Sequence, residues 1–524
     1  MHLSMTTLSL ARDTLESVKL SPTAAPLWQR LSSVVQALEA PGRTQLIGEI
    51  GSLTLSSPAA RWLQYSALLF LTRDARWLWR QGALAEAGTG PDAIAVLLNH
   101  GWHHALVYGH DRAAFMRILA GLEVIRLQRL AAAALPPYAA QGRAAPEGSG
   151  GRALRVALYT PQVASCWHGG TSLMLNMLSL LARAPAEVRV FTAQESSIPA
   201  CDSYRGGSEA IVPATLKPET LRLHGAGAVE LYLPDEALSL RLRLRQMQAA
   251  VCRYRPDLVL FVGFMSPLVF RLYRHYPLLG LSVHALPPAV PLDVWLSPDG
   301  VSDELGWPAL ARPARAGFPW RFWPCGHAAP RARAEAGYAA TDLLLITAGF
   351  RLPSELTAPW RERMLALLAA RPEVRWLLIG VMEAQPAQWA QEHPRLHWLA
   401  PQTHLERWLA MGDIYVGPPR VGGGGAVAMA MEQGMAVAAF AGTDGGDKVG
   451  AAALNGLDDY FAQIQFWCDD APARRRAGQA LRERFHARLD LCAPQAMAGL
   501  MQASRQALAM FGQRQRHSGG LCRE

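Results

Sequence analysis

From residue 154 onward the chain alternates short apolar runs with helical stretches, and this alternation limits its fold more than any other feature. LRVALYT (154–160), EVRVFTA (187–193), DLVLFVG (257–263), LLGLSVHA (278–285) and LDVWLSP (292–298) have strand length, with helical spacing from Ser172 and over 238–254. Apolar runs separated by helices belong to a parallel sheet covered on both faces. The same texture restarts at DLLLITAG (342–349) and continues through VRWLLIGV (374–381), LHWLA (396–400), DIYVG (413–417) and MAVAAFAG (435–442). Two such units in tandem predict an α/β protein with two Rossmann-like lobes, whose ligands bind in a cleft beyond the carboxyl ends of the strands.

The chain ahead of them reads differently. Over residues 14–134 apolar side chains recur at three- and four-residue spacing, as in AARWLQYSALLFL, with almost no strand signal and no clean repeat. The stretch PPYAAQGRAAPEGSGGRA (136–153) reads as a linker. The expected organisation is an all-helical N-terminal domain (1–135), the linker (136–153), a first lobe (154–335), a second lobe (336–490), and a C-terminal helix with a loose tail (491–524).

Half of the 524 residues are apolar and 18% are charged, which is ample material for packed cores. The formal net charge of +9, carried far more by arginine than by lysine, favours anionic small molecules, nucleic acid or an acidic membrane surface. Nucleic acid fits worst, because the 16 tryptophans are spread through apolar segments instead of interleaving with a basic stripe. Peripheral contact with a membrane stays open. No apolar run reaches the roughly 18 residues of a membrane span. The stretch MHLSMTTLSLARDTLESVKL lacks the pattern of a signal peptide, so export is not expected. Seven scattered cysteines without a C-x-x-C pair indicate neither a disulfide framework nor a zinc site, and a reducing, cytoplasmic location is expected.

Candidate chemistry sits in three turns that follow strands. After LRVALYT, the segment PQVASCWHGGTSLMLNML opens a helix at Gly169, Gly170 and Thr171, beside His168. Bare amides at a helix start bind anions and let a ligand approach the main chain; the same glycines also suit a plain tight turn, and a lone histidine also suits packing. DLLLITAG leads into FRLPSELTAPW, where Arg351 either clamps a diphosphate or pairs with Glu355 at the surface. DIYVG leads into GPPRVGGGGAVAMAMEQGMAV (417–437), which places Gly422, Gly423, Gly424 and Gly425 at a helix start with Arg420 close by. So dense a run of unhindered amides points to phosphate or sugar binding. The spacing is that of neither a P-loop nor a dinucleotide fingerprint. No metal dependence is suggested, since no D-x-D lies at a strand end, and no cofactor is expected.

Together, HGGT after the first strand, GFRLPSEL after the first strand of the second lobe, GDIYVGPPRVGGGGAVAMAMEQGMAVAAF with the following GTDGGDKVG, and LLGLSVHALPPAVPLDVWLSPD resemble a GT-B glycosyltransferase. The resemblance is to bacterial enzymes related to the retaining family 4 group and to the soluble protein N-glycosyltransferases. It covers about residues 154–489; the helical region before them matches only in character. It implies a nucleotide-sugar co-substrate in the second lobe and a protein or glycan acceptor toward the first. Arg351 would then meet the diphosphate with Arg420 nearby, the backbone of residues 399–402 the base, and Gly422, Gly423, Gly424, Gly425 and Ala426 the phosphates and sugar. Asp447, Lys448 and Val449 would border the donor. Gly169, Gly170 and Thr171 would face the phosphates or the acceptor, and His284 the reacting sugar. His284 and His168 are the candidate bases.

The chain also departs from this pattern. Many members carry a glutamate for the ribose hydroxyls where this chain has Met429, and a partner glutamate where it has Val421. Gly425 and Ala426 replace the usual Ser or Thr, and Glu432 is predicted on another face of the helix. Two readings follow: a metal-independent glycosyltransferase, or a non-catalytic GT-B-like partner or chaperone of a transferase or of a glycosylated surface protein.

Overall fold

The computed structural model describes residues 38–55, 57–137, 153–164, 168–196, 229–235, 237–299, 306–380 and 393–520, with a few isolated positions before 38. The expected helical start before residue 38, most of the linker and residues 521–524 lie outside the described residues.

Two all-parallel sheets form the body of the molecule. The first has the order β3-β2-β1-β4-β5-β6-β7, built from β1 (Leu154–Tyr159), β2 (Ala186–Phe191), β3 (Leu231–Tyr232), β4 (Leu258–Val262), β5 (Leu278–Leu281), β6 (Val294–Ser297) and β7 (Ala314–Gly317). The second has the order β10-β9-β8-β11-β12, from β8 (Leu343–Ala348), β9 (Val374–Ile379), β10 (Leu396–Leu399), β11 (Ile414–Val416) and β12 (Ala436–Ala438). The central strands β4 and β8 are buried along their whole length, as continuous apolar runs between two helical layers must be. The edge strands β3 and β7 are absent from the sequence reading. One spans two residues, and the other, ARAG, is half-exposed with no apolar run to mark it.

Helices cover both faces of each sheet. In the first lobe Gly169–Leu181 and the C-terminal helix Pro494–Gly520 share a core with one face of the sheet, while Leu240–Tyr254 and Pro267–Leu272 cover the other. The final helix runs on to Gly520, so the tail expected to be loose is helical over 513–520, held in part by the Arg514 guanidinium 3.6 Å from the Tyr273 ring centre. In the second lobe Ala358–Ala370 and Gly456–Asp469 cover one face, and Gly424–Glu432 with Ala471–Arg488 the other.

A layer of six helices from Ala40–Ser52 to Val124–Ala133 precedes the first sheet among the described residues. Its core continues into the lobes: Leu119, Leu122 and Phe115 belong to one apolar cluster with Phe264 and Leu286 of the first lobe and Val421 of the second. Buried Gln128 completes the join, donating to the Ala289 carbonyl at 2.7 Å and accepting from the Ser266 amide at 2.7 Å. A buried amide satisfied on both sides fixes the docking angle as apolar contact alone does not. Among the described residues, no helix is long and apolar enough to cross a membrane.

Candidate active site

Chain order reverses beside β1, which lies between β2 and β4, and beside β8, which lies between β9 and β11. Loops at such switch points diverge and leave a crevice. The loops after β1, β8 and β11 line one cleft of about 680 Å³, which the helix Pro91–Tyr108 also walls with Asn99, His100 and His103.

The second-lobe wall is the glycine loop. Gly422 and Gly423 take φ of +103° and +77°, left-handed values that favour glycine, and Gly423 caps the helix Gly424–Glu432. A Cβ on Gly422 would lie 2.9 Å from Nη2 of Arg351, and one on Gly423 would collide with the Arg420 guanidinium. Gly425 faces open space, with nothing closer to a Cβ than Phe322 at 4.0 Å. The glycines therefore do two jobs: two of them let arginines lie against the main chain, and the helix start beyond them opens to the cleft.

Both arginines converge on one buried carboxylate. Glu355 is 4 residues after Arg351 and accepts from it at 2.6 Å, and it also pairs with Arg420. The expected surface pair is thus a buried triad. Burial alone would raise the Glu355 carboxyl, but Arg420 and Arg351 outweigh it and hold it below its ordinary value. Two cations on one anion leave a net positive charge beneath the loop. Arg420, expected near the donor, lines the cleft as a buried strut that also donates to the Ala348 carbonyl at 2.7 Å. Arg351 is the more exposed of the two. Its charge is also felt by His168 and His103, across the cleft.

The first-lobe wall carries both candidate histidines, in opposite roles. His168 caps the helix Gly169–Leu181, its Nδ1 accepting from the Thr171 amide at 3.4 Å, while Gly169 and Gly170 line the cleft. Burial, then Arg351, push its pKa down to about 4, so it is neutral near pH 7, and a ring that accepts at Nδ1 carries its proton at Nε2. Thr171 is fully buried, its hydroxyl oxygen accepting from the Ala164 amide at 2.9 Å. His284 has the reverse arrangement: Nδ1 lies 2.6 Å from Asp444 Oδ2, and the other nitrogen has no hydrogen bond among the described residues. With its Nδ1 proton given to a carboxylate, Nε2 is an acceptor.

Asp444 was not singled out in the sequence, although Asp447 of the same GTDGGDKVG stretch was. It opens the helix Asp444–Val449, which Thr443 caps by accepting from the Gly446 amide at 3.1 Å. Asp444 lines the cleft; Asp447, Lys448 and Val449 do not. One helical turn on, Asp447 pairs with Arg112 of the helical layer, while Lys448 and Val449 are buried. They were expected to border a donor; this packing puts them outside the cleft lining.

Pro401, Gln402 and Leu405 line the cleft, as do Met429 and Ala426. Val421 is buried against the helical layer. Glu432 is turned away, accepting from the Cys325 and Gly326 amides at 3.1 and 2.7 Å. Among the described residues no group of three His, Cys, Asp or Glu is placed to hold a metal ion.

No protein-family model and no curated protein matches the sequence. Solved structures do match. A mutant O-GlcNAc transferase of Thermobaculum terrenum aligns at a TM-score of 0.52 and 15% identity, over 98% of this chain and 99% of that one. WaaG, a glycosyltransferase involved in lipopolysaccharide biosynthesis, aligns at 0.39 and 12% over 66% of this chain and 98% of that one. With two parallel lobes facing across a cleft whose walls are the loops at their switch points, this chain has the GT-B fold of glycosyltransferases.

Proposed function

We propose that the protein is a glycosyltransferase that moves a sugar from a nucleotide-sugar donor to a protein or glycan acceptor without a metal. The observation that carries this is the pairing of Arg351 with the glycine loop: a guanidinium lies against Gly422 at the start of the helix Gly424–Glu432, inside a cleft that His284 faces from the other lobe. As a glycosidic bond to phosphate breaks, negative charge grows on the leaving diphosphate. Arg351 and the loop amides offer preorganised positive charge for it, and the partly closed cleft strengthens that attraction. His168 offers an N–H from the opposite wall.

Met429 supports the second reading, a non-catalytic partner or chaperone with this fold. Glu355, Asp444 and Glu406, the carboxylates lining the cleft, are engaged with Arg351 and Arg420, with His284 and with His404. The position expected to accept the ribose hydroxyls is a thioether. Calorimetry with UDP-, GDP- and dTDP-sugars separates the two: the transferase reading expects binding of at least one, and no binding at millimolar concentration ends it.

A further inference from the structure

His284 and Asp444 belong to different lobes, and their side chains share a hydrogen bond across the cleft wall. His284 follows β5 of the first sheet; Asp444 opens the helix after β12 of the second. Both are buried, at 5% and 6% side-chain exposure. The carboxylate is itself held, since its other oxygen accepts from the Ala285 amide at 3.4 Å. The ring is packed by Trp102 and Phe115 of the helical layer, 5.0 and 5.5 Å away between centres, and by Phe264 at 6.3 Å. Aromatic walls on the ring and a carboxylate on Nδ1 leave it one tautomer and one orientation.

We propose that Asp444 is the positioning residue of an inter-lobe dyad, making His284 a competent general base only when the two lobes are closed on each other. This rests on the transferase reading above. In the step it serves, an acceptor oxygen or nitrogen forms a bond to the anomeric carbon as the bond from that carbon to phosphate breaks. The electron pair leaves with the nucleoside diphosphate, toward Arg351 and the loop amides. The acceptor proton passes to His284 Nε2, and the imidazolium that forms is stabilised by Asp444. A base assembled from both lobes has a consequence for water: with the lobes apart, His284 lacks its partner and the bound donor is protected from premature hydrolysis.

The test uses the full chain and reads release of UDP from UDP-glucose and UDP-N-acetylglucosamine, with water as acceptor, across pH. The charged groups around the dyad are Lys448 and Arg321, with Asp447 and Arg112 beyond; Trp102, Phe115 and Phe264 are uncharged. Asp444→Asn is expected to lower kcat roughly 100-fold. Its UDP affinity should stay within about threefold of the parent. The acid limb of the rate profile moves to lower pH once the negative partner is gone. In a His284→Ala background the same change costs nothing further, because residues acting as one unit are not additive. Asp444→Glu keeps the charge and should retain the acid limb, which serves if the asparagine variant fails to fold. Wild-type kcat in Asp444→Asn, or a full additional loss in the His284→Ala background with an unmoved acid limb, overturns the dyad. A parent protein that binds none of the UDP-, GDP- and dTDP-sugars instead overturns the transferase reading, and the dyad with it.

Discussion

Arg351 and Glu355 form a pair at 2.6 Å in which the carboxylate is almost wholly buried and the guanidinium is one-quarter exposed. The asymmetry shows the division of labour. Glu355 is an internal anchor, and Arg351 is the group it presents. Replacing Glu355 by Gln leaves two guanidiniums without their shared anion, and a broken buried pair costs about 3–5 kcal/mol. The urea midpoint should fall accordingly. Because the folded Glu355 carboxyl lies below its usual 4.5, its contribution is present above that pH and is lost as pH falls further, through the folded value. Glu355→Gln should flatten that part of the acid unfolding curve.

The glycines of the loop should separate by role. Gly423→Ala forces a side chain into φ +77° and against Arg420, and is expected to destabilise the fold by about 1–2 kcal/mol from backbone strain alone. Gly425→Val meets open space on its own side, so the thermal midpoint should hardly move. The added bulk sits in the cleft, and nucleotide affinity should fall by about tenfold or more. Thermal unfolding and calorimetry on the two variants check the split.

Met429→Glu tests the missing ribose acceptor. A carboxylate that gains hydrogen bonds from the two ribose hydroxyls should improve UDP binding by about 1–3 kcal/mol. The gain should be absent with 2′,3′-dideoxy-UDP. Equal improvement with both ligands would show that the carboxylate does not reach the ribose.

Glu195 gives the first lobe its own pH dependence. It is fully buried where it pairs with Tyr159 and accepts from Ser266 at 2.6 Å, and burial, opposed by these bonds and by Arg243, leaves its pKa pushed up to about 7. A raised carboxyl contributes stability that is complete below its unfolded value near 4.5 and is lost as pH rises to about 7. That window spans roughly 3 kcal/mol. Denaturant unfolding of Glu195→Gln should lack this slope.

The strand and helix pattern was legible because it depends on local periodicity. Runs such as DLVLFVG and DLLLITAG become buried central strands, and the glycine run becomes a helix start. Edge strands β3 and β7 were not legible, since one sheet neighbour and a half-exposed face impose little on composition. The site was legible at its loops. Arg351, the four glycines, His168, His284 and the buried Arg420 line one cleft, whereas Asp447, Lys448 and Val449 lie outside its lining.

The sequence by itself determined two parallel α/β lobes, a helical layer before them, and glycine-rich turns at the ends of particular strands, because each follows from side-chain period and backbone freedom within a few residues. Only the tertiary structure decided which charges remain for a ligand. Glu355 takes Arg420 from about 65 residues away in the chain, Arg112 takes Asp447, and Asp444 crosses between lobes to His284. Such pairings are set by which buried charge lies nearest in space, where leaving one unpaired costs more than any local preference can offset.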